Sequence, residues 1–141
     1  MTSTLTGMKE MQAKLQRMGK SAKSIGRAGV MAGAMVLAAE MRNQAPGRVK
    51  AEIGIAAEQT GSPGMVAAKA GIGVGRAKRG VGLFLAAGTK NRFRRTRKGP
   101  ASTGRVVPSD FIKRAASSAR SAAQQAVREG MSKAIERAQK G

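Results

Sequence analysis

The chain contains no cysteine, histidine, tryptophan or tyrosine, and only three phenylalanines in 141 residues. Without thiols it has no disulfide and no thiolate metal site. Without imidazole it lacks the commonest metal ligand and the commonest acid–base group. The redox state of its compartment is illegible for the same reason. The scarcity of aromatics limits the core. Much of the 41% hydrophobic fraction is alanine, which buries little area at about 25 cal/mol per Å². Packing against further subunits is the expected source of the missing stability.

Acidic residues are also few, seven against 27 Lys and Arg. Glu10, Glu40, Glu52, Glu58, Asp110, Glu129 and Glu136 are scattered among basic neighbours, where ion pairing and capping explain them more simply than paired-carboxylate catalysis. No active site is legible, so the chain is expected not to be an enzyme and to need no cofactor or metal. The longest apolar stretch, around Val30 to Ala39, is too short and too glycine-broken to span a bilayer, and no signal-peptide pattern opens the chain. A protein that stays in the cytoplasm where it is made is expected, with no membrane partner.

Positive charge is abundant, at a formal +20. Seven of these charges, Lys90, Arg92, Arg94, Arg95, Arg97, Lys98 and Arg105, fall between residues 90 and 105 with no acid among them. Like charges repel and the stretch has little apolar surface to bury, so it reads as an exposed, mobile arm that does not fold onto itself. The rest of the chain is basic too, and its field should attract polyanions such as DNA, RNA or an acidic protein surface. The bland alternative for the arm is a solvated loop.

The length suits one domain with a modest core, an α+β unit in which a small antiparallel sheet is flanked by helices. Met8, Met11, Leu15 and Met18 recur at helical spacing and predict a helix over 7–18 that stops at Gly19. A longer helix follows from about Lys20 to Gln44, with Ile25, Ala28, Ala32, Met35 and Ala39 on its apolar stripe, ended by Ala45, Pro46 and Gly47. Gly26, Gly29 and Gly33 inside it are either tolerated in an Ala-rich helix or mark close approach by a strand or helix. Ala51–Ala57, Val66–Val74 and Val81–Ala87 predict three antiparallel strands, with turns at Thr60–Gly64 and Gly75–Gly80. After the arm, Ser109 and Asp110 are the expected caps of a final helix that begins at Phe111 and runs nearly to the end. Its small-residue face suits packing on the long helix or another subunit. Gly71, Gly73 and Gly75 superficially resemble a nucleotide-binding fingerprint, but position 78 is Lys and the next stretch is basic, which favours a glycine-rich turn.

Several of these signals occur together in a set order: Gly7-Met8-Lys9-Glu10-Met11 with Leu15, then Ala38-Ala39-Glu40-Met41-Arg42 closing at Ala45-Pro46. Phe84 with Gly88-Thr89-Lys90 follows, and then Val107-Pro108-Ser109-Asp110-Phe111-Ile112 with Ala115. In this order the chain resembles the tail-completion and head-to-tail joining (neck) proteins of long-tailed bacteriophages. It departs from them after Pro46, where Gly47-Arg48-Val49-Lys50 offers no clear Thr-Gly turn, and at Phe84-Leu85, where a tyrosine is common.

The resemblance implies a structural virion protein, assembled in the host cytoplasm, that forms a homo-oligomeric ring, a hexamer, between the DNA-filled head and the tail. One face would meet the head connector or head-completion protein, the other the tail terminator or tail tube. Lys90, Arg92, Arg94, Arg95, Arg97, Lys98 and Arg105 would touch genomic DNA in the channel without reading sequence, or the neighbouring ring. Met8, Met11, Leu15, Met35 and Phe111 would pack between subunits. The competing readings are a tail terminator, a basic nucleic-acid-binding protein and, more weakly, a membrane-active chain with basic amphipathic helices. Against the nucleic-acid protein stands the single aromatic of the arm, Phe93.

Overall fold

A computed structural model describes residues 3–59, 65–78 and 80–140, excluding the side chains of 3–18, 20, 21, 59, 139 and 140. The fold is α+β, as expected. In chain order it comprises α1 (Ser3–Gln44), a 3-10 turn (Gly47–Glu52), β1 (Ile53–Gln59), β2 (Val66–Ile72), α2 (Gly82–Ala87), β3 (Arg92–Thr96), β4 (Gly99–Gly104), α3 (Phe111–Ser118) and α4 (Arg120–Lys140). The strands form two separate antiparallel pairs, β1 with β2 and β3 with β4.

Three expectations are corrected here. The two N-terminal helices are one, α1, which passes through Gly19. That glycine has open space around it, so only its propensity, about 1 kcal/mol relative to alanine, opposes the helix. The third strand, Val81–Ala87, is the helix α2. Finally, Ala28, Met35 and Ala39 of the expected α1 stripe face solvent, and the buried apolar side chains are Ala34, Ala38 and Met41, followed by Ala45 just past the helix end. In a helix this rich in alanine the apolar residues do not single out one face. The expected turn at 60–64 lies outside the described residues.

Pro46 ends α1, since the residue before a proline is pushed out of the helical region. Ala45 still donates its N–H to Met41 O, and Arg42 Nη2 donates to Ile53 O at 2.7 Å, tying the end of α1 to the start of β1. Ile53 pairs with Ile72 and Ile55 with Ala70, so one face of the first ribbon is apolar. On the other face Glu58 and Lys69, diagonal neighbours, form an ion pair. Gly73 and Gly75 lie in the glycine-rich turn expected of them, whereas Gly71 is part of β2 and pairs with Gly54. Gly73 N–H donates to Glu52 O, and Gly75 has φ +65° with its α-carbon against Ile55 O, where a side chain would collide.

The core gathers around Phe111, which is 0% exposed. Ala38, Met41, Ala45, Val49, Ile53 and Ala115 are buried with it, and Ile55, Ile72, Leu85 and Ile112 pack on the outside. Phe111 is therefore a core residue rather than a subunit contact. As the largest of few large apolar side chains, it fills the space where α1, the first ribbon and α3 meet.

The last helix runs as expected from Phe111 nearly to the end, with an irregularity at Ala119 across which Ala119→Ala115 and Ala123→Ala119 N–H···O bonds continue. Asp110 holds the cap position, but its side chain makes no capping bond. Its ψ of 16° is almost helical, whereas a side chain that folds back onto the first turn needs an extended cap residue.

The α1 glycines have both of the close neighbours that the sequence left open. A Cβ on Gly26 would sit 2.8 Å from Val66 of β2. On Gly33 it would lie 2.6 Å from Val127 Cγ2 and 3.2 Å from Ala123 O of α4, and on Gly130 3.2 Å from Gly29 Cα. The backbones of α1 and α4 thus cross antiparallel at close range, with Val127 and Met131 of α4 packed directly onto the glycines of α1.

Candidate functional site

The basic segment 90–105 is not a formless arm but a β-hairpin, β3–β4, and the expectation that repulsion prevents it from folding onto itself is corrected. The register supplies the reason. Arg94 faces Ala101, Arg95 faces Pro100 and Thr96 faces Gly99, so no basic side chain opposes another across the ladder. Adjacent strand residues also point to opposite faces, which separates Arg94 from Arg95. The two-residue tip is Arg97-Lys98, followed by Gly99 at φ +108°, and Thr96 Oγ1 donates to Gly99 O at 2.6 Å. As expected, the segment is exposed: every residue of β3, and every residue of β4 except the half-buried Gly99, faces solvent.

The base of the hairpin is tied to the body. Thr89 N–H donates to Val106 O at 2.9 Å, Val106 N–H to Thr89 Oγ1 at 3.0 Å, and Ser109 N–H to Leu85 O at 2.8 Å. These bonds hold together the two strands of chain that lead into and out of the ribbon. The Arg92 guanidinium lies 5.7 Å from the centre of the Phe84 ring and donates weakly to Thr89 Oγ1, so it folds back onto the body. Lys90 and Arg105 border a cleft of about 550 Å³ at this base, together with Gly88, Thr89, Asn91 and Pro108. The seven predicted basic residues therefore divide: Arg94, Arg95, Arg97 and Lys98 project, Lys90 and Arg105 flank the cleft, and Arg92 is folded back.

Of the predicted subunit contacts, Met35 is 59% exposed and available. Met8, Met11 and Leu15 lie on α1, with side chains outside the described residues. The sequence reading missed the exposed apolar side chains on and beside α2, Val81, Leu83, Phe84 and Val107. The signal was available, since Gly80 to Thr89 carries no charge in a strongly basic chain.

Glu52 positions α2. Its Oε2 accepts the N–H groups of Gly80 at 3.1 Å and Gly82 at 2.8 Å, placing a carboxylate at the start of the helix. Gly82 is buried against Val49 and Glu52, where a Cβ would not fit. Gly88 closes α2 with φ +73° and a bond from its N–H to Phe84 O at 2.8 Å. Glu40 accepts from Gln44 Nε2 at 2.7 Å and from Ser118 Oγ at 3.2 Å. The Gln44 bond, followed by the Ser118 bond, holds its carboxyl below the usual glutamate range. Glu40, Glu52 and Glu58 are thus engaged in capping and pairing.

No family model, curated protein or solved structure matches the chain. Among the described residues no cluster of three or more His, Cys, Asp or Glu could hold a metal ion, and no helix is long and apolar enough to cross a membrane. Among the described residues, the hairpin is an exposed ribbon that carries basic side chains and no acid.

Proposed function

We propose that the chain is a structural, non-enzymatic protein of the junction between the head and tail of a long-tailed bacteriophage. It would assemble as a homo-oligomeric ring, a hexamer, that continues the DNA channel. One face would meet the head connector or head-completion protein and the other the tail terminator or tail tube, so that the finished protein resides in the virion.

The observation that carries this reading is a convergence in space. The segments on which the resemblance rests are far apart in sequence, yet most of them form one knot. Ala38, Met41 and Ala45 surround Phe111 and Ala115, Leu85 accepts from Ser109, and Thr89 pairs with Val106. Gly88 sits against Pro108, where a Cβ would lie 2.8 Å from the proline ring. These residues are the scaffold from which the hairpin projects, a sensible place for a ring protein to carry its working surface. The thin alanine core and the half-exposed Leu83 and Phe84 suit a chain completed by neighbouring copies.

The test is electron microscopy of particles made with this gene disabled. Filled heads beside separate tails of normal length are the expected result. Overlong tails would reassign the protein to tail termination. Normal, infectious virions would overturn the assembly reading and leave a basic nucleic-acid-binding protein.

A further inference from the structure

Resting on the reading that the hairpin is the working surface, we infer that β3–β4 is a sequence-independent clamp for the backbone of duplex DNA, entering a groove as a two-stranded ribbon. Three features favour a polyanion with charge on two sides over an acidic protein face. Arg94 and Arg95, adjacent on β3, extend from opposite faces of the ribbon, and Arg97 and Lys98 form its tip. A groove wall of phosphates on either side satisfies this arrangement, whereas a protein surface would use one face only. The ribbon also lacks the apolar centre of a protein interface, since its single large apolar side chain, Phe93, is 66% exposed. The partner strand is small and uncharged, Pro100-Ala101-Ser102-Thr103, so the backbone can come close and has little with which to read base edges.

The dimensions agree. Five residues of β3 span about 17 Å at about 3.4 Å per residue, and the major groove, about 12 Å wide, admits a two-stranded ribbon. A second copy of the chain is a poor alternative occupant, because it carries the same +20. Beyond Arg92, which stacks on Phe84 of α2, the ribbon is exposed along both strands, and a two-stranded ribbon with so little support has marginal stability in water. Neutralisation by phosphate would stabilise it in place.

Four projecting cations give an expected slope of log affinity against log salt of about −3.6 per chain, at about 0.9 per phosphate contact. Between 50 and 200 mM salt that is a loss of about 150-fold. The experiment measures binding of the full chain to labelled 30-bp duplexes of several sequences by fluorescence anisotropy across that range. The triple variant Arg94→Ser, Arg95→Ser, Arg97→Ser should lose about 2.7 units of slope, leaving a salt dependence of about 3.5-fold. A control that removes the same charge from exposed positions of α3 and α4, Lys113→Ser, Arg114→Ser, Arg128→Ser, should lose less than one. Arg94→Lys, Arg95→Lys, Arg97→Lys should keep the wild-type slope, which separates charge from ribbon folding.

Equal losses in the hairpin and control variants would overturn the clamp in favour of diffuse charge. A preference above tenfold for one duplex would overturn sequence-independent backbone contact. Binding to polyglutamate but not to DNA at 50 mM salt would reassign the hairpin to an acidic protein. These outcomes are independent of the particle morphology that tests the joining role, so either conclusion can fail alone.

Discussion

The same substitution, glycine to alanine, should stabilise at one position of α1 and fail to stabilise at another. Gly19 and Gly33 both lie within the helix, and alanine there gains about 1 kcal/mol of helix propensity at each. At Gly19 nothing lies within 4 Å of the new methyl group, so the gain stands. At Gly33 the methyl would be 2.6 Å from Val127 Cγ2, which is β-branched and stiff, and 3.2 Å from the backbone oxygen of Ala123. Overpacking of this kind costs about 1–3 kcal/mol, so Gly33→Ala should range from neutral to about 2 kcal/mol destabilising. The two variants should differ by about 1–3 kcal/mol, or roughly 3–10 °C in Tm for a chain of this size. Adding Val127→Ala to Gly33→Ala should recover part of the loss, less the cost of the truncated valine. Urea and thermal unfolding followed by far-UV circular dichroism measure this, because a chain without Trp or Tyr gives no useful intrinsic fluorescence. Equal stabilisation by Gly19→Ala and Gly33→Ala would refute the close crossing of α1 and α4.

Phe111→Ala should cost about 3–5 kcal/mol, a large fraction of the stability of a core this thin, and should be read as loss of the cooperative thermal transition. Glu52→Ala removes the acceptor of the Gly80 and Gly82 N–H groups and should destabilise by about 1–2 kcal/mol, with faster amide exchange confined to the start of α2. Glu40 has a folded-state pKa below the usual value of 4.5, so its contribution is present above that value and is lost as pH falls below it. Glu40→Gln should accordingly flatten the acid limb of the stability profile, while a limb unchanged from wild type would count against the Gln44 and Ser118 bonds. Phe84→Ala removes the partner of Arg92 and should cost about 0.5–1 kcal/mol, measurable by urea unfolding.

The parts of the fold legible in the sequence were those governed by local rules. Pro46 announced the end of α1, the paired apolar segments gave β1 and β2, and Phe111 marked the start of the last helix. What escaped depended on partners distant in sequence. The run Gly82 to Ala87 is too short for its periodicity to separate strand from helix, and what decides it is a carboxylate 30 residues upstream at Glu52. Gly88 was a local hint, since a glycine at positive φ is a common helix stop. In the basic segment net charge masked the pairing: the alternation of faces and the uncharged second strand, 99–104, were present in the sequence but mattered only once register was known. The glycines of α1 were legible as positions needing an explanation, but which neighbour approached them was not.

The crossing of α1 and α4 limits how this protein can change over time. Where two large side chains meet, one can shrink as the other grows, and a family can drift through many solutions. At Gly29, Gly33 and Gly130 that exchange runs one way only, because no residue is smaller than glycine and the glycine side can only grow. An enlargement that trimming Val127 or Met131 does not absorb meets the backbone of α4 and must move a helix, and with it the knot around Phe111 from which the hairpin is held. The projecting ribbon has no such restriction: its positions can vary as long as sign and alternation are kept. A slowly drifting frame can thus carry a freely adjustable charged tip.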